Sequence, residues 1–358
     1  MAQTNATILI PDISGFTAFM TTTELDHSSH AINLLIDEIL TAVGDEYDVS
    51  EIEGDAVLLI KKGPAPAKKE ILNICLKIFN AFHFRRMWIQ RYTVCPCKAC
   101  QSISNLTLKF VVHHGPLAEI KVGHFTKQSG LEMIVAHRLL KNDIENHEYL
   151  LITEKLLQQE ADASETEDME WTISSSEYDS IGKVDYRFTM LNGLRKLVPE
   201  PPAPSVFYRT DTTPYHEVKI AASVRDVYMT FVMNMANRAE WVPGLQKVEQ
   251  DIPEVFIGSV HRFTFDDYEA IISPRRMTIT EDGFIYAESC QITAMNLSLI
   301  YEYVFKEINE KTSCFRYRFM NASESTLTND VNATLLERLG QMAEGFRKYC
   351  EGIVEFDL

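Results

Sequence analysis

The feature that most constrains this chain is the run Ile8-Leu9-Ile10-Pro11-Asp12-Ile13-Ser14-Gly15-Phe16-Thr17-Ala18-Phe19-Met20. Its apolar half reads as a strand that ends in Asp12, turns at Ser14-Gly15 and leads into a helical pattern. A carboxylate is thereby left at a strand end beside a helix N-terminus, a geometry that suits a divalent cation holding a phosphate chain. A second acidic turn lies in Ser50-Glu51-Ile52-Glu53-Gly54-Asp55-Ala56-Val57, where Gly54-Asp55 reads as the turn of a hairpin. Two turn-borne aspartates are then available to share metal ions.

Between and beyond these turns the pattern alternates helix and strand. Ile32, Leu35, Ile36, Ile39 and Val43 recur at helical spacing and Gly44 ends the run. Residues 47–51 and 56–60 form the hairpin, Pro64-Ala65-Pro66 breaks the chain, and a second amphipathic helix is predicted over 68–91. Strands follow at 106–112, 120–122 and 149–153, with a helix at 131–140 between the last two and one more strand at 186–191. The whole makes a split βαβ arrangement. Six acids between Glu160 and Glu170 read as a solvated loop.

Lys196-Leu197-Val198-Pro199-Glu200-Pro201-Pro202-Ala203-Pro204 reads as a stiff linker, 196–206, separating a first domain (1–195) from a second (207–358). The second domain begins with a strand at 216–220, an N-cap at Ser223 and a short helix ending near Asn237-Arg238. Trp241-Val242-Pro243-Gly244 follows. A train of strands from Ser259 to Met320 comes next, and one long amphipathic helix, 332–350, closes the chain.

Hydrophobic residues at 46% and charged residues at 24% describe a globular protein, and 358 residues suffice for two cores. A formal net charge of -17 excludes a general binder of nucleic acid or anionic membranes. No apolar run is long enough to span a bilayer, and Met1-Ala2-Gln3-Thr4-Asn5 lacks the regions of a signal peptide. A cytoplasmic protein is the expectation. The seven cysteines, three of them in Cys95-Pro96-Cys97-Lys98-Ala99-Cys100, fit a reducing compartment. Cys95, Cys97 and Cys100 have ligand-like spacing for zinc, with His113, His114 or His124 as a fourth ligand; reduced, unligated thiols are the preferred reading.

With Ala136-His137-Arg138-Leu139-Leu140, the two acidic turns resemble the class III nucleotidyl cyclase catalytic domain, whose signatures are an Asp-x-x-Gly-Phe-Thr turn, a Gly-Asp hairpin and a helix bearing Ala-x-Arg-Leu. The resemblance implies an α+β fold on the ferredoxin-like plan. It also implies conversion of a nucleoside triphosphate to a cyclic 3′,5′-nucleotide and pyrophosphate with Mg2+ or Mn2+. Asp12, Asp55 and the carbonyl of Ile13 would hold the metal, and the amides of Ser14, Gly15, Phe16 and Thr17 the phosphates. Arg138 would stabilise charge on the α-phosphate, reaching the aspartates of a partner in a head-to-tail homodimer. Lys183 matches the family's phosphate-binding lysine. The base-reading positions are Glu51, which leans toward guanine, and Lys127, which is also able to pair with Glu51.

The alternatives are that Asp12 only caps a helix, Asp55 only makes a turn, Arg138 and His137 are surface residues, and the domain is an inactive nucleotide-binding or dimerisation scaffold. Ile134 stands where the family has its ribose-orienting asparagine and favours that second reading. The second domain's element order and Trp-x-Pro-Gly segment resemble the START-like (SRPBCC) helix-grip fold, which implies a cavity for a lipid or other apolar small molecule. Trp241, Phe263, Tyr268, Tyr301 and Phe315 are candidates to line it, with core packing as the alternative for each.

Overall fold

A computed structural model describes residues 3–23, 25–122, 125–159, 169–203, 213–250, 255–323 and 327–354. The fold is mixed α+β. The chain divides into two compact units, one of residues 1–90 and 97–201 and the other of 91–96 and 202–358. Most of the acidic stretch at 160–170, part of the Pro-rich linker, and His124 lie outside the described residues. Among the described residues no helix is long and apolar enough to cross a membrane.

The first unit is built on an eight-stranded sheet. β1 (Gln3–Ser14) is buried from Ala6 onward. Helices α1 (Phe16–Thr22) and α2 (Leu25–Val43) lead to the hairpin of β2 (Asp48–Glu53) and β3 (Ala56–Lys62). α3 (Lys68–Tyr92) buries Ile71, Ile74, Cys75, Ile78, Phe79 and Phe82 on one face, and each such apolar side chain contributes about 1.5–3 kcal/mol by leaving water. After the short α4 (Lys98–Ser102) come β4 (Thr107–Val122), β5 (Phe125–Ser129) and α5 (Leu131–Leu139). β6 (Tyr149–Thr153), the one-turn α6 (Glu154–Leu157), β7 (Thr172–Tyr178) and β8 (Gly182–Met190) complete the unit.

Strand order is β2-β3-β1-β4-β6-β8-β7, with β5 also on β4. The first four strands pair antiparallel, and β4 runs parallel to β6. The helices between them make this the split βαβ arrangement.

Two departures from the sequence expectations have physical reasons. The strands predicted at 106–112 and 120–122 are one, β4, which runs through Gly115-Pro116. At Pro116 the strand pairs with Asn5 of β1 while β6 reaches only Phe110 to Val112 and β5 begins its pairing at Ala118, so the missing N–H costs no ladder bond on that side. β7 escaped prediction because Ser174-Ser175-Ser176 lacks strand-like apolar alternation; it is an edge strand that pairs with β8 alone.

The second unit carries an all-antiparallel sheet of seven strands in the order β10-β11-β12-β13-β14-β15-β9. β9 (His216–Ile220) leads to α7 (Val224–Val232), whose N-cap Ser223 accepts the Asp226 N–H. The predicted helix ends earlier than expected, at Val232, and a 3-10 turn over Met235–Glu240 carries the chain on. β10 (Leu245–Gln250), β11 (His261–Phe265), β12 (Glu269–Thr280), β13 (Gly283–Ile292), β14 (Leu297–Asn309) and β15 (Thr312–Asn321) follow. Within the predicted train of strands, β12 runs unbroken through Pro274, which is accommodated by a bulge between Pro274 and Arg276.

α8 (Asn329–Val354) closes the unit. It buries Leu339, Met342, Ala343, Phe346 and Cys350 in a core centred on Phe231, whose ring meets Trp241, Tyr303, Phe305, Phe315 and Phe346. Gly345 allows that approach, since a Cβ there would lie 2.3 Å from the Trp241 carbonyl oxygen.

Candidate functional site

The two acidic turns of the first unit meet. β1 and β3 are neighbours, Asp12 pairs with Ala56, and the Ile13 N–H donates to the Asp55 carbonyl at 3.0 Å. Gly54, at φ 61°, makes the two-residue turn that delivers Asp55 beside the end of β1. Gly15 stands at φ 89°, where a side chain would be strained, and so lets the chain turn from β1 directly into α1. The first helical bond is Phe19 N–H to the Gly15 carbonyl. Helix geometry therefore leaves the amides of Phe16, Thr17 and Ala18 without an intrahelical acceptor.

Asp12, Asp55, Ile13 and Ser14 to Ala18 line a groove of about 790 Å3. Asp12 is 9% exposed. Its carboxyl is raised above the usual range by burial and further by the neighbouring Asp55, against the pull of Lys109. Burial raises Asp55 as well. Lys109 Nζ sits 3.4 Å from Asp12 Oδ1 and donates to the Leu140 carbonyl at 3.2 Å. One ammonium thus compensates one of two crowded carboxylates. The Ser14 hydroxyl is buried at the same place and has no hydrogen-bond partner. Two under-compensated carboxylates, an orphaned hydroxyl and unpaired amides fit a divalent cation with bound phosphate oxygens.

α5 contributes Met133, Ile134, His137 and Arg138 to the groove. Its first turn is held by Glu132, which accepts from Lys155 Nζ at 2.6 Å and lies 2.5 Å from His113 Nε2. Ile134 is 53% exposed and offers the groove no hydrogen bond. Arg138, expected to face the aspartates of a second chain, already lines their groove within one chain.

The remaining sequence candidates divide. Lys127 lines the groove, 2.8 Å from Glu51 Oε2, so the two base-reading positions are paired with each other. Lys183 lies on β8 opposite Glu177, pairs with Asp185 at 2.7 Å, and is not among the residues lining this groove. The groove also holds a half-buried lysine, Lys109, which the sequence reading missed, together with His147 and the Ser14 hydroxyl. No local signal marks Lys109, which takes a polar place in the alternation Leu106-Thr107-Leu108-Lys109-Phe110 and joins the groove through its register opposite Asp12.

Cys97 and Cys100 lie in the first unit, where the Cys97 sulfur accepts the Cys100 N–H at 3.4 Å, and Cys95 belongs to the second; a fourth ligand was expected among the histidines. His113 and His114, offered as that ligand, are committed elsewhere: His113 to Thr153 and Glu132, His114 to Thr7.

The second unit has its own cavity of about 610 Å3, lined by Trp241, Phe263, Tyr268 and Tyr301 as expected. Phe315 is a correction: it is fully buried among Phe231, Tyr303, Phe305 and Phe346 and is core. The cavity also reaches a buried ion pair, Arg238 with Glu288, at 2.8 Å.

Residues 32–149 match the family model described as "Protein of unknown function (DUF2652)", less than half of the chain. An uncharacterized protein of Mycobacterium tuberculosis is 34% identical over 113 residues, 31% of this chain and 51% of that protein, so the chain spans about half the length of the curated relative it matches. Solved structures similar over about half of the chain are cyclase catalytic domains. The adenylyl cyclase CyaB from P. aeruginosa is 13% identical, covering 53% of this chain and 95% of its own at a TM-score of 0.40. The catalytic core of a rhodopsin-guanylyl cyclase in complex with ATPalphaS is 15% identical, covering 52% of this chain and 96% of its own at a TM-score of 0.39.

Proposed function

We propose that the first unit is a divergent class III nucleotidyl cyclase domain that converts a nucleoside triphosphate to a cyclic 3′,5′-nucleotide and pyrophosphate. The observation that carries this reading is the convergence of Asp12 and Asp55, with the orphaned Ser14 hydroxyl, on one end of a groove large enough for a nucleotide. Asp12, Asp55 and the Ile13 carbonyl hold Mg2+ or Mn2+. When bound, such an ion supplies neutralisation of the phosphate oxygens and a more acidic 3′-hydroxyl.

The chain's own groups do the rest. The Ser14 hydroxyl and the amides of Phe16 and Thr17 donate to the β- and γ-phosphates. Arg138 offsets negative charge that builds on the α-phosphate as the ribose 3′-oxygen attacks and pyrophosphate leaves. Glu51 and Lys127 act as a pair at the base. A head-to-tail homodimer is part of the proposal, supported by the exposed Leu131 (56%) and Ile134 (53%) on α5. Cytoplasmic location is part of it too, in keeping with free thiols at Cys75, Cys290, Cys314 and Cys350. The second unit, read as a START-like helix-grip domain, takes an apolar small molecule in its cavity and alters the first unit's output.

Incubation of the full chain with Mn2+ and each of the four ribonucleoside triphosphates, with mass-spectrometric detection of cyclic product, tests the reading. Metal-dependent product from one of them, lost in Asp12→Ala, is the expected result. A second reading, a nucleotide-binding scaffold without turnover, is favoured by Ile134 at the ribose position. It predicts metal-dependent nucleotide binding and no product with any of the four.

A further inference from the structure

The ammonium of Lys109 is fixed beside the two carboxylates of the first unit's groove. β1 and β4 pair antiparallel with Lys109 directly opposite Asp12, so the two side chains leave the sheet as neighbours on one face. Lys109 Nζ lies 3.4 Å from Asp12 Oδ1 and donates to the Leu140 carbonyl at 3.2 Å. Leu140 is the C-cap of α5, where carbonyls lack intrahelical donors and the helix dipole favours a cation. The side chains of Lys109 and Asp12 are only 14% and 12% exposed, and the ammonium is anchored on two acceptors rather than free in the groove. Asp55 feels the same charge: burial raises its carboxyl, and Lys109 is among the groups that pull it back.

Two carboxylates at a phosphate site can be shared by two divalent ions about 3.5–4 Å apart. In this groove an ammonium already stands within that distance of Asp12 Oδ1, on the approach that a second ion would use. We infer that Lys109 keeps the place of a second ion, so that Asp12 and Asp55 take one divalent cation with a nucleoside triphosphate. The inference rests on the reading of the groove as a metal-dependent nucleotide site and deepens it by fixing the ion count. A second dication would meet the charge of the first and that of Lys109, with only two carboxylates to offset them and one of these already compensated. An ammonium carries three donors for carboxylate and phosphate oxygens, and unlike an ion it cannot dissociate. Lys109 is thus a positioning residue: it offsets charge on Asp12 and ties β4 to the end of α5, the helix that bears Arg138.

The test counts ions. The full chain is dialysed to equilibrium with Mn2+ and the α,β-methylene analogue of GTP or of ATP, and bound Mn2+ is measured against bound nucleotide. Electron paramagnetic resonance of the same samples detects coupling between neighbouring ions. The expected wild-type result is one Mn2+ per nucleotide and an uncoupled spectrum. Lys109→Met, which keeps the length and loses the charge, should take up two per nucleotide and show spin coupling, whereas Lys109→Arg, which keeps the charge, should stay at one. A lysine with a merely structural role would leave the count the same in all three. Lys109→Gln keeps an N–H donor for the Leu140 carbonyl and serves in place of Lys109→Met if that variant does not fold. Two ions per nucleotide in the wild type would mean that Lys109 gives way when the groove fills, and overturns the inference while the metal site stands. A count of one in the folded, uncharged variant overturns it too. Nucleotide that binds without any dependence on Mn2+, or does not bind, defeats the reading of the groove itself and the inference with it.

Discussion

Glu132 gives the sharpest prediction about how the groove is held in shape. It sits in the first turn of α5, 8% exposed at its side chain, with His113 on one side and Lys155 on the other. The His113 hydrogen bond, with Lys155 assisting and against the effect of burial, pulls its carboxyl down from 4.5 to about 2. At 1.36 kcal/mol for each tenfold change in proton affinity, that depression contributes about 3 kcal/mol of folding free energy at neutral pH. A depressed carboxylate contributes fully above its unfolded value and loses the contribution as pH falls toward its folded value. The contribution should therefore shrink to about half by pH 3. Glu132→Gln keeps the size and removes the charge. Amide hydrogen exchange of peptides from α5 and β4 reads the first unit directly, whatever the second unit does. At pH 7 the variant should open about 3 kcal/mol more easily, roughly a hundredfold faster exchange, and the gap should narrow at pH 3. A gap below about 0.5 kcal/mol at pH 7, or one unchanged between pH 7 and pH 3, would refute the assignment of Glu132 as the group that pins α5.

Other predictions concern the groove. Ile134→Asn restores a hydrogen-bonding side chain at a half-exposed groove position, and nucleotide affinity or product rate should rise about tenfold, the yield of one added hydrogen bond; steady-state kinetics shows it. Lys109→Met removes the ammonium that competes with a cation for Asp12, so Mn2+ affinity without nucleotide, measured by calorimetry, should rise about tenfold. Because burial raises both Asp12 and Asp55, protons compete with metal at a higher pH than they would for ordinary aspartates. Mn2+ affinity should thus already fall between pH 7 and pH 5, and a flat profile over that range would contradict the electrostatics of the site.

The two turns were legible in the sequence because each is spelled locally. Ser14-Gly15 and Gly54-Asp55 are turn chemistry at the ends of apolar runs, and their strands happen to be neighbours. The order of elements was readable for the same reason, since strand and helix periods differ along most of the chain. What escaped depended on the third dimension. Lys109 becomes a site residue only through its register opposite Asp12, and Lys183 fails to become one because β8 carries it away from the groove. Phe315 reads like any other aromatic of the second unit, yet its place at the centre of the ring cluster shuts it off from the cavity. The buried pairing of Glu288 with Arg238 and Tyr303 has no local signature at all; it is made across strands and a helical turn.

The most direct test of the central claim is Mn2+ binding, followed by electron paramagnetic resonance, in the presence of a non-cyclisable triphosphate analogue. Wild-type protein should bind the ion in a nucleotide-dependent manner, and Asp12→Asn and Asp55→Asn should each weaken binding at least a hundredfold, since each removes one of two carboxylates that share it. If either variant binds Mn2+ as the wild type does, the two aspartates do not form one metal site.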